Sequence, residues 1–138
     1  MIRNLLLILI IFFFTTFRAY SLEITLSEGT IEPTPIAVTD FFSDVTQVQK
    51  IGKNISQLIS DNLERSGLFL PINKKAFIQD VSSLVIQPRF EDWKVIKAQH
   101  LIAGKVLQSN GKISVDFRLY DVFAQKQLLG KRYETSDK

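Results

Sequence analysis

Residues 100–122 read HLIAGKVLQSNGKISVDFRLYDV, and this stretch decides the fold class. From His100 the apolar period is two, and residues 101–107 form a strand. Asn110-Gly111 is the residue pair favoured in two-residue hairpin turns of the primed type, because both central positions need positive φ. The chain then returns over 112–122, with Ile113, Val115, Phe117 and Leu119 expected to face inward. Ser114, Asp116, Arg118 and Tyr120 are expected to face outward. A second turn around Ala124-Gln125-Lys126 leads into a last strand over 127–133.

Upstream, residues 90–98 read as a short helix whose buried face holds Phe90, Trp93 and Ile96. Residues 74–85 carry no dominant period and read as a helical turn and loop. Residues 68–72 form a short strand ended by Pro71. The strongest helix pattern lies over 43–67, where Ile51, Ile55, Leu58, Ile59 and Leu63 fall on one stripe. Ser43, Asp44 or Thr46 would cap its start, and Ser66-Gly67 supplies its stop. Gly52 is unfavourable inside a helix by about 1 kcal/mol relative to alanine, which points to a close approach to the sheet. Residues 36–41 read as a strand, and 28–35, with Gly29, Pro33 and Pro35, as a connector that cannot sit inside a sheet. Residues 22–27 alternate apolar and polar like a half-buried strand. The order β-β-α-β-α-β-β-β predicts an α/β domain: a mixed sheet of five to six strands with two α-helices on one face.

The amino terminus has a short positive start at Arg3, an apolar run over 5–14, and small residues at Ala19 and Ser21. This three-part pattern is that of a secretory signal peptide cut between Ser21 and Leu22, giving a leader over 1–21 and one domain over 22–138. The alternative is an uncleaved anchor, but residues 5–17 as a helix reach only about 20 Å against a hydrocarbon core of about 30 Å. The chain of 138 residues contains no cysteine, which excludes disulfides, zinc–thiolate sites, thiol nucleophiles and lipid attachment through cysteine. Export without cysteine suits a bacterial periplasm. Lys and Arg number 17 against 14 Asp and Glu. Without Arg3 and Arg18 the net charge is +1, too small for a nucleic-acid or anionic-membrane footprint.

No catalytic constellation is visible. His100 is the only histidine and reads as a satisfied strand-end residue. Asp40, Asp44, Asp92 and Asp116 are scattered without metal-ligand spacing, and no glycine pattern cradles phosphate. The Lys74-Lys75 and Lys131-Arg132 pairs read as solvated surface, and Phe41-Phe42 with Phe90 and Trp93 as core. The expectation is no enzyme, no metal, no cofactor, no small-molecule substrate and no nucleic acid.

Several local motifs nevertheless fall in a recognisable order. They are Ile36-Ala37-Val38-Thr39-Asp40-Phe41, Ile51-Gly52, Asn62-Leu63-Glu64-Arg65-Ser66-Gly67-Leu68-Phe69, and Trp93-Lys94 with Ala98, Leu101-Ile102 and Gly104-Lys105-Val106. In that order and behind a leader, the chain resembles the amino-terminal domain of the TolB family over residues 22–133. Gln99-His100 departs from the family's acidic turn before the strand. The resemblance implies a fold like that of anticodon-binding domains. It also implies a periplasmic, non-enzymatic adaptor of the Tol–Pal system, concerned with outer-membrane integrity and invagination during cell division.

Family members continue into a closing helix and a β-propeller that docks the lipoprotein Pal. The expectation here is a domain truncated at its carboxy-terminal end and, without the propeller, unable to dock Pal. In the family the first mature residues bind the carboxy-terminal domain of TolA. Carried over, these are Leu22, Glu23, Ile24, Thr25, Leu26, Ser27, Glu28 and Gly29. Read without the family, the same segment is either the domain's own first strand or a strand added to a partner's sheet. Two other readings stay open: an envelope-assembly scaffold or activator using the same domain, and a non-functional fragment of a split gene.

Overall fold

The computed structural model describes residues 32–84 and 87–136. Its five strands are β1 (Thr34–Val38), β2 (Phe69–Pro71), β3 (His100–Ser109), β4 (Lys112–Asp121) and β5 (Lys126–Ser136). They form one sheet in the order β2-β1-β3-β4-β5. β1 is parallel to both neighbours, and β3, β4 and β5 make an antiparallel meander. The helices are α1 (Thr46–Arg65), α2 (Val81–Leu84) and α3 (Phe90–Val95), with a 3₁₀ turn over Lys74–Ala76. The mixed α/β sheet expected from the sequence is present.

The β3–β4 turn is the one its residues demand: Asn110 has φ 52° and Gly111 φ 70°, and Ser109 pairs with Lys112. α1 stops at Ser66, whose N–H donates to the Asn62 carbonyl, and Gly67 turns left-handed at φ 72°. Its start differs from expectation. The N-cap residue is Val45, with no side-chain cap, and Ser43 Oγ instead accepts the Val45 N–H at 3.3 Å. Leu58 also leaves the expected stripe, being 61% exposed. The buried residues of α1 are Val48, Gly52 and Ser56, flanked by Ile51, Ile55, Ile59 and Leu63. α3 ends at Val95, earlier than expected, because Lys97 takes φ 60° and turns the chain toward β3.

Pro35 lies inside β1, contrary to the expectation of a connector up to residue 35. Its carbonyl accepts the Gln99 N–H at 3.0 Å, so its nitrogen faces the same neighbour at a level before β3 begins. No ladder bond is sacrificed there, which is where proline is tolerated in a sheet.

The sheet has two cores. On one face Ile36, Val38, Phe41, Ile102 and Val106 pack with Val48 and the apolar flank of α1. On the other, Ala37, Leu101, Ala103, Tyr120 and Val122 pack with Leu84, Trp93 and Ala98, covered by Phe77, Phe90 and Ile96. The two main helices therefore lie on opposite faces, not on one face as expected. The reason is topological: the chain steps from β1 out to β2, then back across β1 to β3. Right-handed crossovers in opposite directions cover opposite faces. Tyr120 is inverted for the same reason. Expected outward, it is 6% exposed and meets Phe90 edge to face at 5.9 Å.

Candidate interaction surface

Ser21 and Leu22, expected to flank the cleavage, and the expected partner-binding residues Leu22 to Gly29 lie outside the described residues. The structure thus bears on the domain that carries them.

Its titratable groups are used as ties between elements. Asp40, just after β1, accepts hydrogen bonds from Lys74 Nζ at 2.5 Å and from Ser56 Oγ at 2.9 Å. Burial pushes the Asp40 carboxyl up, but the hydrogen bonds from Lys74 and Ser56 and the Lys74 and Lys53 charges outweigh it and hold the pKa below its ordinary value. On β4, Asp116 receives Arg132 of β5 through two bonds, from Nε at 2.5 Å and from an Nη at 2.7 Å. That bidentate pair, helped by Lys105 and Arg118, lowers the Asp116 pKa against its partial burial. Lys74 and Arg132 are thus paired, not merely solvated as the sequence suggested. Among the described residues, no three His, Asp or Glu side chains group as metal ligands. His100 edges onto Phe69 at 6.4 Å, and its buried Nδ1 has no hydrogen-bond partner, so the expected satisfied histidine is not found.

Gln79 is a structural residue that the sequence did not disclose. Buried before α2, its Oε1 accepts the Trp93 Nε1–H at 3.0 Å and the Arg89 N–H at 2.8 Å. Its Nε2 donates to the Gln87 carbonyl and to Ser83 Oγ. One amide thereby ties Ser83, Gln87, Arg89 and Trp93 together. No local pattern marks it, because its partners lie 4 to 14 residues away and meet only after folding.

The least covered part of the described domain is the far half of the sheet. α1 packs over β2, β1 and β3. Beyond it, Ile113, Val115, Phe117 and Leu119 of β4 are only half-buried, and every residue of β5 is exposed. Pairing puts Leu129 opposite Leu119, Lys131 opposite Phe117 and Tyr133 opposite Val115, all on the α1 side. Tyr133 stacks on Phe117 with centroids 6.2 Å apart and is 62% exposed, while Leu129 is 39% exposed. Ile51 and Ile55 of α1 pack against the same core as these β4 residues. Among the described residues, the outer edge of β5 is also unpaired. An exposed apolar face of this kind is one that another element or protein can cover.

The sequence profile of the TolB amino-terminal domain matches residues 22–128 of the chain. Among solved structures, the chain is similar to TolB from Acinetobacter baumannii at 22% identity and a TM-score of 0.60, over 76% of this chain and 24% of that one. It thus spans about a quarter of that TolB chain. It is similar to lipoprotein GNA1162 from Neisseria meningitidis at 12% identity and a TM-score of 0.59, over 75% of this chain and 81% of that one. The LpoB carboxy-terminal domain from Escherichia coli matches at 8% identity and a TM-score of 0.52, over 79% and 86%. At these identities the likeness is one of fold. Among the described residues, no helix is long and apolar enough to cross a membrane.

Proposed function

Because the chain belongs to the TolB amino-terminal domain family, matched over residues 22–128, we propose that it is a non-enzymatic adaptor of the Tol–Pal envelope system. In this reading residues 1–21 direct export to the periplasm and are cut off after Ser21. Leu22 to Gly29 then bind the carboxy-terminal domain of TolA by adding a strand to its sheet. The role served is outer-membrane integrity and invagination during division. The observation that carries the reading is the family match itself, which begins at Leu22, the residue expected to start the mature chain. Alternating Leu22, Ile24 and Leu26 suit strand addition, in which main-chain bonds supply affinity and pockets for alternate side chains supply specificity.

Calorimetric titration against the TolA carboxy-terminal domain tests this, using protein with and without residues 22–33. The expected result is saturable binding that the deletion abolishes while the melting transition is kept. Ile24→Asp should weaken binding and Thr25→Ser should not. Equal binding by the deleted protein would place the contact elsewhere, and absence of binding by the intact protein would remove TolA as the partner.

One observation favours a second reading. The same fold makes up 81% of the lipoprotein GNA1162, at a TM-score of 0.59, so this domain type also serves in a lipoprotein. An envelope-assembly scaffold would keep the fold and fail to recover TolA from envelope extracts.

A further inference from the structure

We infer that the face of the sheet away from α1 holds a binding site for a phosphate monoester group, separate from residues 22–29. Lys105 of β3, Asp116 of β4 and Arg132 of β5 stand abreast across three neighbouring strands, and Arg118 follows two residues along β4 from Asp116. Beside them opens a cavity of about 40 Å³ whose lining includes Lys105, Asp116, Arg118, Ala103, Tyr120 and Leu84.

The charges there do not balance within the described domain. Asp116 is the one carboxylate in the lining, and Arg132 takes both its oxygens, through Nε and an Nη. Lys105 and Arg118 are near enough to favour the ionised Asp116, yet neither forms an ion pair among the described residues. Glu134, also on this face of β5, stands opposite Ser114 and on the far side of Arg132 from Arg118. Three cations therefore face one carboxylate, a local excess that the near-neutral total charge conceals. Leu84, Ala103 and Tyr120 belong to the buried core of this face and make the apolar side of the cavity. Low dielectric on that side strengthens the pairing of the cations with a bound anion.

Size and donors select the ligand. The cavity has room for about three waters, so it admits a compact oxyanion and not an extended apolar chain. Arg118 offers a planar fork and Lys105 a rotatable ammonium, donors that phosphate oxygens accept. Asp116 then discriminates among oxyanions. Arg132 keeps it ionised, so it can only accept a hydrogen bond. A phosphate monoester, with a second pKa of about 6, partly retains a P–OH near neutral pH and can donate it to Asp116. Sulfates and carboxylates have no such proton there and would set negative charge against negative charge. Soluble phosphate esters and monoester headgroups of lipids share this chemistry, and the test separates them.

The probes are phenyl phosphate and phenyl sulfate, which differ only in the group that enters the cavity. Titration calorimetry of the purified protein, at about pH 6.5 and about 0.15 M salt, should show saturable binding of the phosphate and at least about tenfold weaker binding of the sulfate. Arg118→Gln, on an exposed side chain, should weaken phosphate binding at least about tenfold. Lys131→Gln, on the opposite face, should change nothing, which separates a built site from general attraction of anions. Asp116→Asn should raise the affinity for phenyl sulfate, a gain that no loss of stability can produce. Co-sedimentation with phosphatidylcholine vesicles containing phosphatidic acid then reads the source. Pelleting that phenyl phosphate reverses assigns the group to a lipid headgroup, and absence of pelleting assigns it to a soluble ester. Deleting residues 22–33 should leave these results unchanged, so failure here and failure of TolA binding are distinguishable. Absence of saturable phosphate binding, equal affinity for the sulfate, or equal effects of Arg118→Gln and Lys131→Gln would overturn the inference.

Discussion

Gly52 lies directly against the main-chain carbonyl of Phe41: a β-carbon on Gly52 would sit 2.1 Å from that oxygen. The ring of Phe41 in turn covers Gly104, where a β-carbon would be 2.7 Å from two ring carbons. Two glycines thus bracket one phenylalanine and let α1, the segment after β1 and β3 close on each other. Gly→Ala inside a helix ordinarily gains about 1 kcal/mol. At Gly52 the sign should reverse, with Gly52→Ala losing about 1–3 kcal/mol from forced displacement. Urea unfolding checks it; a more stable variant would refute the close approach.

Leucine truncation should separate inside from outside. Leu101 is fully buried between β1 and β4, and Leu101→Ala should cost about 2–5 kcal/mol. Leu58→Ala should cost no more than about 0.5 kcal/mol, as at other exposed positions. Thermal melts of the two variants decide, and equal shifts would mean that α1 is rotated.

Gln79→Ala removes the acceptor of the buried Trp93 indole N–H and of the part-buried Arg89 N–H. Each unsatisfied group costs about 1–3 kcal/mol, so a loss of about 2–5 kcal/mol is expected. Gln79→Glu retains the acceptor and should recover part of it. Chemical denaturation with Trp93 fluorescence reports both stability and the local change.

The Asp40 carboxyl is held below its ordinary pKa in the fold, so its charged form stabilises the native state. That stability is complete above the unfolded value of about 3.9 and is lost as pH falls through the folded value. Asp40→Asn should melt below the parent at pH 7, and the gap should close below about pH 4. A gap that is constant with pH would show that packing, not charge, holds this junction.

Much of the fold was legible because its signals are local. Asn110-Gly111 fixes its own turn, and Ser66-Gly67 ends its own helix. What was not legible depends on partners distant in sequence. Leu58 satisfies the helical stripe, but α1 rolls toward the small residues Gly52 and Ser56 where Phe41 and Asp40 meet it. Tyr120 reads as outward because alternation identifies two faces without saying which is covered, and here both are. Gln79 carries no sequence pattern at all. Of the contact surface, the exposed face of β5 could be sensed in its imperfect alternation. The pairing of Lys131 with Phe117 needed the register across β4 and β5.

The mixed topology also sets an order of assembly. β3, β4 and β5 pair through turns of a few residues, so they close at little entropic cost. The pairing of Ile36 with His100 must bring together residues 64 positions apart. Contacts so distant in sequence are slow to form, so the meander is expected to nucleate and β1, β2 and α1 to dock afterwards. Synthesis from the amino terminus works against this order, because β1 emerges long before β3 exists to receive it. Until β3 is made, Ile36 and Val38 have no neighbour on that side, and the nascent chain carries an unpaired apolar strand for that interval.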